Sequence, residues 1–375
     1  WNVKVEMTMT KPTYAPGTHP SLPPPKDTVG LAHWLKANLF SSVTNSIVTL
    51  VSVYFLYLAL PSAINWLFID ATYVGTNRKD CAPDGACLAF IGERFNLFVY
   101  GFYPAELRWR VNFATVLLVV AGAAVLWDKI PARKQMLRFA LVYPFIGAWL
   151  LSGGLGLEPV GTHLFGGLML TLTIGVTGIV CSLPLGILLA LGRQSNLPII
   201  KYFCISFIEF IRGVPLITLL FVASTMLSYF LPPGTTFDLL MRVLIMVTLF
   251  ASAYMAEVIR GGLQALPKGQ LEAAESLGLN YGRAMRFIIL PQALKVSIPG
   301  IVNTFIGLYK DSTLVIIIGL LDPLGIGRAS VADSDWLGLS TEVYLFVAVF
   351  FFISCFGMAR YSLFLENKLN TGHKR

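Results

Sequence analysis

Long, continuous apolar runs recur along this 375-residue chain, and they decide what it can fold into. Eight can be read, at about 42–68, 112–127, 139–153, 166–191, 202–231, 241–259, 296–320 and 343–365. The longer ones reach the ~20 residues that a helix needs to cross about 30 Å of hydrocarbon. No water is available there, so every backbone amide and carbonyl must be bonded within the segment, which selects helices or closed barrels. The runs are continuously apolar rather than alternating, which argues against a barrel. With 55% hydrophobic and 13% charged residues and a mean hydropathy of +0.70, the chain has more apolar surface than a soluble core of this length absorbs. The expected fold is an all-α polytopic membrane protein with about eight transmembrane helices.

The formal net charge of +8 would suggest nucleic acid in a soluble protein, but here the positive-inside bias accounts for it. With the amino terminus in the cytoplasm, 19 of the 28 Lys and Arg fall in inside segments and seven in outside ones. Arg212 and Lys310 lie within spans. Both termini are therefore expected inside. A Pro-rich arm over 1–41 lacks the basic start and short apolar run of a cleavable signal, and reads as extended.

Three spans in 42–159 flank an outer loop at 70–111, and five follow in 160–366, with a short tail over 367–375. The ionisable residues inside spans all belong to the last five. The expected organisation is a five-helix functional core preceded by three accessory helices. Cys81 and Cys87 bracket a polar APDGA stretch in the outer loop. An oxidising compartment would favour a disulfide between them, and two free thiols would read identically.

Residues 264–291, QALPKGQLEAAESLGLNYGRAMRFIILP, form a charged insert that lipid cannot surround cheaply. Pro267 suits a helix start. Leu271, Ala274 and Leu277 recur at helical spacing, with Glu272 and Glu275 on other faces. Gly278 fits the left-handed position just past a helix end. Asn280 can cap a second short helix that Pro291 limits. An amphipathic helix lying on the membrane surface would share this pattern.

Polar residues inside spans make a second set. Glu209 and Arg212 are three apart and can pair, offsetting the cost of a guanidinium at membrane depth. The Gly213-x-Pro215 that follows would loosen the backbone. The pair fits a structural tie between helices or a gate coupled to the insert. Glu257 and Arg260 repeat the spacing, followed by Gly261-Gly262 as a candidate flexible joint. Lys310, Asp311, Ser312 and Thr313 interrupt the seventh span. They could bond neighbouring helices, or Asp311, Ser312 and Thr313 could meet an amino acid zwitterion beside amides freed at a broken helix end.

Glu272-Ala273-Ala274, Gly278 and Ile289-Leu290-Pro291 stand in the register of the EAA loop of ABC-importer membrane subunits, which the insert resembles. Around it, AYMAEVIRGGLQALPKGQLEAAESLGL (253–279), EFIRGVPL (209–216) and LYKDSTLV (308–315) look like the polar amino acid permease branch of that type I family. The likeness covers about 160–365. The three extra spans are similar to the longer, heterodimeric membrane subunits of general L-amino-acid importers. The resemblance implies a bacterial inner-membrane permease for polar L-amino acids working by alternating access. It implies that Glu272, Ala273, Ala274, Leu277, Gly278 and Pro291 serve ATPase coupling. It implies as partners two cytoplasmic ATP-binding subunits, a second homologous permease and an extracytoplasmic amino-acid-binding protein. ATP and Mg would sit on the ATPase, because this chain has no GxxxxGK[ST] phosphate loop. No cofactor is expected on this chain.

No His or Cys grouping has metal-site spacing, and no nucleophile with a base points to an enzyme. Nothing supports nucleic-acid binding. The remaining rival is a secondary amino acid transporter driven by an ion gradient, which would use Asp311 and Glu209 for coupling and leave the insert an ordinary loop.

Overall fold

A computed structural model describes residues 30–127, 129–226, 229, 232 and 237–369. The Pro-rich arm up to residue 29 and the tail from residue 370 lie outside the described residues. The chain divides into two units, Trp1–Asp70 and Ala71–Arg375. In the first, α1 (Leu31–Asn38) precedes α2 (Val43–Ile64). Ser42 caps α2 by accepting from the Asn45 amide at 3.1 Å, and a π turn over Asn65–Ile69 extends it. None of the α2 residues is buried, which suits a helix in a hydrocarbon solvent.

The second unit is helical throughout, and no strand occurs among the described residues beyond two isolated bridges. Two short helices, α3 (Ala89–Glu93) and α4 (Phe95–Tyr100), form in the outer loop. An antiparallel pair follows, α5 (Arg108–Leu126) and α6 (Arg133–Ser152). Then come α7 (Gly167–Arg193), α8 (Pro198–Gly213), α9 (Leu216–Thr225) and α10 (Leu239–Gln264). The insert holds α11 (Gly269–Ser276) and α12 (Tyr281–Ala284). The chain closes with α13 (Leu290–Asp311), α14 (Pro323–Ser330) and α15 (Ser340–Leu369).

Among the described residues, seven helical segments are long and apolar enough to cross a membrane, or eight if α8 and α9 count as one. The fifth span expected over 202–231 is this bent pair. α8 and α9 meet at 99°, because Pro215 cannot donate to the preceding turn and Val214 takes an extended conformation before it. The second short helix of the insert also differs from expectation. It does not stop at Pro291. A π turn over Met285–Ile289 carries the chain from α12 into α13, and Pro291 falls in the first turn of α13, where an amide is dispensable.

α10 is the central element, packed along α7 and crossing α13. Small residues let the backbones approach, as membrane helices without a hydrophobic driving force between them require. Gly186 of α7 meets Met255 and Ala256, and Gly262 of α10 lies against Ala293 and Ser297 of α13. The opposite end of the bundle is closed by the outer loop. Phe90, Phe98 and Trp336 are fully buried there with Ile326 and Val343. Arg94 pairs with Asp333 at 2.6 Å, and the buried Glu342 accepts from the Cys87 amide at 3.2 Å.

Candidate functional site

The insert is two short helices joined at a turn. α11 begins at Gly269, two residues beyond Pro267, whose carbonyl accepts from the Gln270 amide. It ends in a Schellman turn. Gly278 has φ +79, its amide donates to the Glu275 carbonyl at 2.9 Å, and the Leu279 amide reaches back to Ala274 at 3.1 Å. Asn280 then caps α12, accepting from the Arg283 amide at 3.0 Å. Leu266, Leu271, Met285 and Ile289 root this turn among the buried residues of α10 and α13. Glu272, Ala273, Glu275 and Gly278 stay exposed, Ala274 is buried, and Leu277 is 81% exposed. The described residues leave this leucine uncovered at the elbow.

Directly behind the insert lies an ionic cluster that joins α7, α8 and α10. Glu257 is its centre, with a side chain 15% exposed. Its Oε1 accepts from Arg193 at 2.6 Å, and Arg212 stands 3.8 Å away. Its Oε2 takes a two-pronged contact from Arg260, 2.9 Å from Nε and 2.7 Å from Nη2. Arg193 also donates to Glu209 at 2.9 Å. Arg260 reaches forward to Gln264, the first residue of the insert.

The expected pairs are partly redistributed. Glu257 and Arg260 do bond across one turn. Glu209 does not pair with Arg212, although the spacing allows it. Arg193 from the end of α7 reaches Glu209 first, and Arg212 turns toward Glu257 and the Tyr254 ring, 5.6 Å from its centroid. Local spacing gives an intrahelical pair only when no better donor stands on the next helix. From the sequence, Arg193 is one of the inside charges. Its signal was indirect: a glutamate within a span needs counter-charge, and a basic residue closes the neighbouring span. Gly213 sits at the end of α8 with open space around it, and Pro215 is the residue just before α9.

Gly261-Gly262 is not a loose joint. α10 runs helically through both, and a Cβ on Gly262 would stand 2.6 Å from the Ala293 carbonyl oxygen. The glycine is a packing requirement, and it brings the base of the insert against α13.

Lys310 and Asp311 end α13, where the chain tightens into a 3₁₀ segment, Ser312–Ile318. Lys310 is exposed, Asp311 half-buried and Ser312 buried. The hydroxyls of Ser312 and Thr313 donate to the carbonyls of Tyr309 and Lys310, at 2.7 and 3.0 Å. Their protons are thus engaged, and only lone pairs remain to offer. In the outer loop, Cys81 and Cys87 are joined as a disulfide with Cα atoms 5.5 Å apart. No metal-binding group of three or more ligands occurs among the described residues.

Asp322, between the last two spans, was not singled out from sequence. It is fully buried and caps α14 by accepting from the Gly325 amide at 2.9 Å, while its Oδ2 has no hydrogen-bond partner. Burial pushes its carboxyl up from 3.8 to about 6.

Residues 182–369 match the family described as the inner membrane component of binding-protein-dependent transport systems. The chain is 50% identical over 357 residues to the inner membrane amino-acid ABC transporter permease protein YhdY of Escherichia coli K12, covering 95% of this chain and 97% of that one. It is 43% identical to the glutamate/glutamine/aspartate/asparagine transport system permease protein BztC of Rhodobacter capsulatus, covering 94% and 96%. Among solved structures, a chain of an amino acid ABC transporter crystallised with histidines is 32% identical, with a TM-score of 0.48 over 54% of this chain and 91% of that one.

Proposed function

The chain belongs to the family of inner membrane components of binding-protein-dependent transport systems, and on that premise we propose that it is one membrane half of an ATP-driven amino acid importer. The observation that carries this reading is the insert. It is a helix rooted in the core, closed by a Gly278 elbow, with Glu272, Ala273 and Leu277 facing outward. Such a protrusion fits a groove on a cytoplasmic ATPase better than it fits lipid. The nucleotide chemistry belongs to that partner.

The ionic cluster would pass the insert's movement on. Arg260 links Gln264 to Glu257, and Glu257 holds α7 and α8 through Arg193 and Arg212. When the two ATPases close on ATP, the inserts of this chain and of a second permease would approach each other. α10 would tilt with its insert and draw α7 and α8 along. The pathway then opens outward to receive an amino acid from an extracytoplasmic binding protein, and hydrolysis resets it. The insert and both termini face the cytoplasm in this reading, and the disulfide loop faces outside.

At the end of α13, the exposed Lys310 suits a substrate carboxylate and Asp311 an ammonium group. The Thr313 hydroxyl, with its proton engaged, could only accept and so would also meet the ammonium.

Reconstitution tests the whole reading. Proteoliposomes carrying the complex with its companion ATPase, binding protein and second permease should take up amino acid only with internal ATP. Uptake driven by an ion gradient without any ATPase would overturn it.

A further inference from the structure

An apolar crevice of about 160 Å³ opens where the α5–α6 pair meets α7 and α10. Ala114, Leu118, Ala148, Met169, Val176 and Leu244 are among its walls. Four of the hydroxyls along it have their protons engaged within the protein. Thr115, Ser152 and Thr173 each donate to the carbonyl one turn back on their own helices, at 2.8, 2.6 and 2.8 Å. Tyr143 spends its proton across the pair, on the Ala114 carbonyl at 3.0 Å. Most of the lining is apolar, and apolar cavities of about 150 Å³ accept apolar guests. Left empty, the walls would forfeit their dispersion contacts.

What stands at the mouth follows from the helices that make it. All four are long enough and apolar enough to cross a membrane. Ala148 and Met241 are exposed on its rim, so the crevice opens sideways, into the bilayer. Its length fits one leaflet. Along α7 it runs from Met169 to Thr177, about 12 Å at helical rise, against about 15 Å for half the hydrocarbon thickness. It starts near the first turn of α7, on the outer-loop side.

We propose that this crevice holds one acyl chain of a phospholipid from the outer-loop leaflet, as a resident ligand wedged between the α5–α6 pair and the α7–α10 core. The chain completes the packing between those two helix pairs, which meet directly over little of their length. An annular lipid exchanges freely, whereas this one is enclosed by four helices and leaves slowly.

The test uses the complete transporter complex in nanodiscs of phosphatidylethanolamine and phosphatidylglycerol, with a fraction of phosphatidylethanolamine carrying a diazirine in its acyl chain. Illumination before and after exhaustive detergent exchange is followed by peptide mass spectrometry. Adducts on Leu118 and Val176 should survive the exchange. Those on Phe113 and Val116, exposed on the opposite side of α5, should disappear. Ala148→Phe and, separately, Thr177→Phe fill the crevice from either side and should each reduce the retained adducts at least tenfold. Loss of the Leu118 and Val176 adducts at the same rate as the Phe113 and Val116 adducts would overturn the proposal. So would their survival in both filling variants. Absence of lipid adducts on Leu118 and Val176 before exchange would show that something other than lipid occupies the space.

Discussion

Replacing Arg193 with methionine keeps the helix propensity and most of the side-chain volume but deletes both contacts of its guanidinium. The two contacts differ in worth. The partner Glu209 has a side chain 54% exposed, so its pair resembles a surface ion pair, about 0.2–1 kcal/mol. Glu257 is 15% exposed and accepts at 2.6 Å, a charge-assisted bond of about 1.5–3 kcal/mol. The loss stays below the 3–5 kcal/mol typical of a broken buried pair, because Arg260 and Arg212 still neutralise Glu257. The expected destabilisation is about 2–3 kcal/mol. Unfolding by SDS titration in mixed micelles, for Arg193→Met combined with Glu257→Gln or with Glu209→Gln, gives the two coupling energies. The Glu257 cycle should return about 1.5 kcal/mol or more, and the Glu209 cycle less than about 1 kcal/mol. Additive behaviour of Arg193→Met and Glu257→Gln, or a larger coupling to Glu209, would refute the assignment of Glu257 as the hub.

Three further outcomes are expected. Gly262→Ala should destabilise by about 1–3 kcal/mol, because the added carbon must push α13 away from α10; an unchanged unfolding midpoint would contradict the packing described. A Cβ added at Gly278 meets no atom within 4 Å, so Gly278→Asp should cost chiefly the left-handed backbone penalty of about 1–2 kcal/mol and leave the protein inserted. It should nevertheless abolish uptake and co-purification of the ATPase, and normal values of both would remove the elbow from the coupling surface. Asp322 has a folded value of about 6 against 3.8, so the folded state favours its protonated form. Its contribution is full below about 3.8 and is lost as pH rises through about 6, a change of roughly 3 kcal/mol. Asp322→Asn retains the cap and should flatten the dependence of the unfolding midpoint on pH between 4 and 6.5; a slope equal to that of the parent would rule Asp322 out as its source.

The elements legible from sequence were those set by local chemistry. The apolar runs marked the membrane helices. Gly278 and Asn280 marked the turn and the cap, because a left-handed backbone and an orphan amide have few residue solutions. Illegible were the features that depend on which helix lies beside which. Proline punctuation suggested an end at Pro291, but a π turn carries the helix past it. A glycine pair suggested a joint at 261–262, but α13 packs there.

Sequence alone determined that this chain is helical and membrane-embedded. Hydrocarbon leaves the backbone no other way to satisfy its hydrogen bonds, and that constraint acts residue by residue. Tertiary structure alone decided the partners of Glu209 and Arg212. Glu209 could have bonded Arg212 on its own helix, yet Arg193, 16 residues earlier on α7, takes it and also reaches Glu257. A charge at membrane depth takes the nearest counter-charge in space, and that distance exists only once α7, α8 and α10 are packed together.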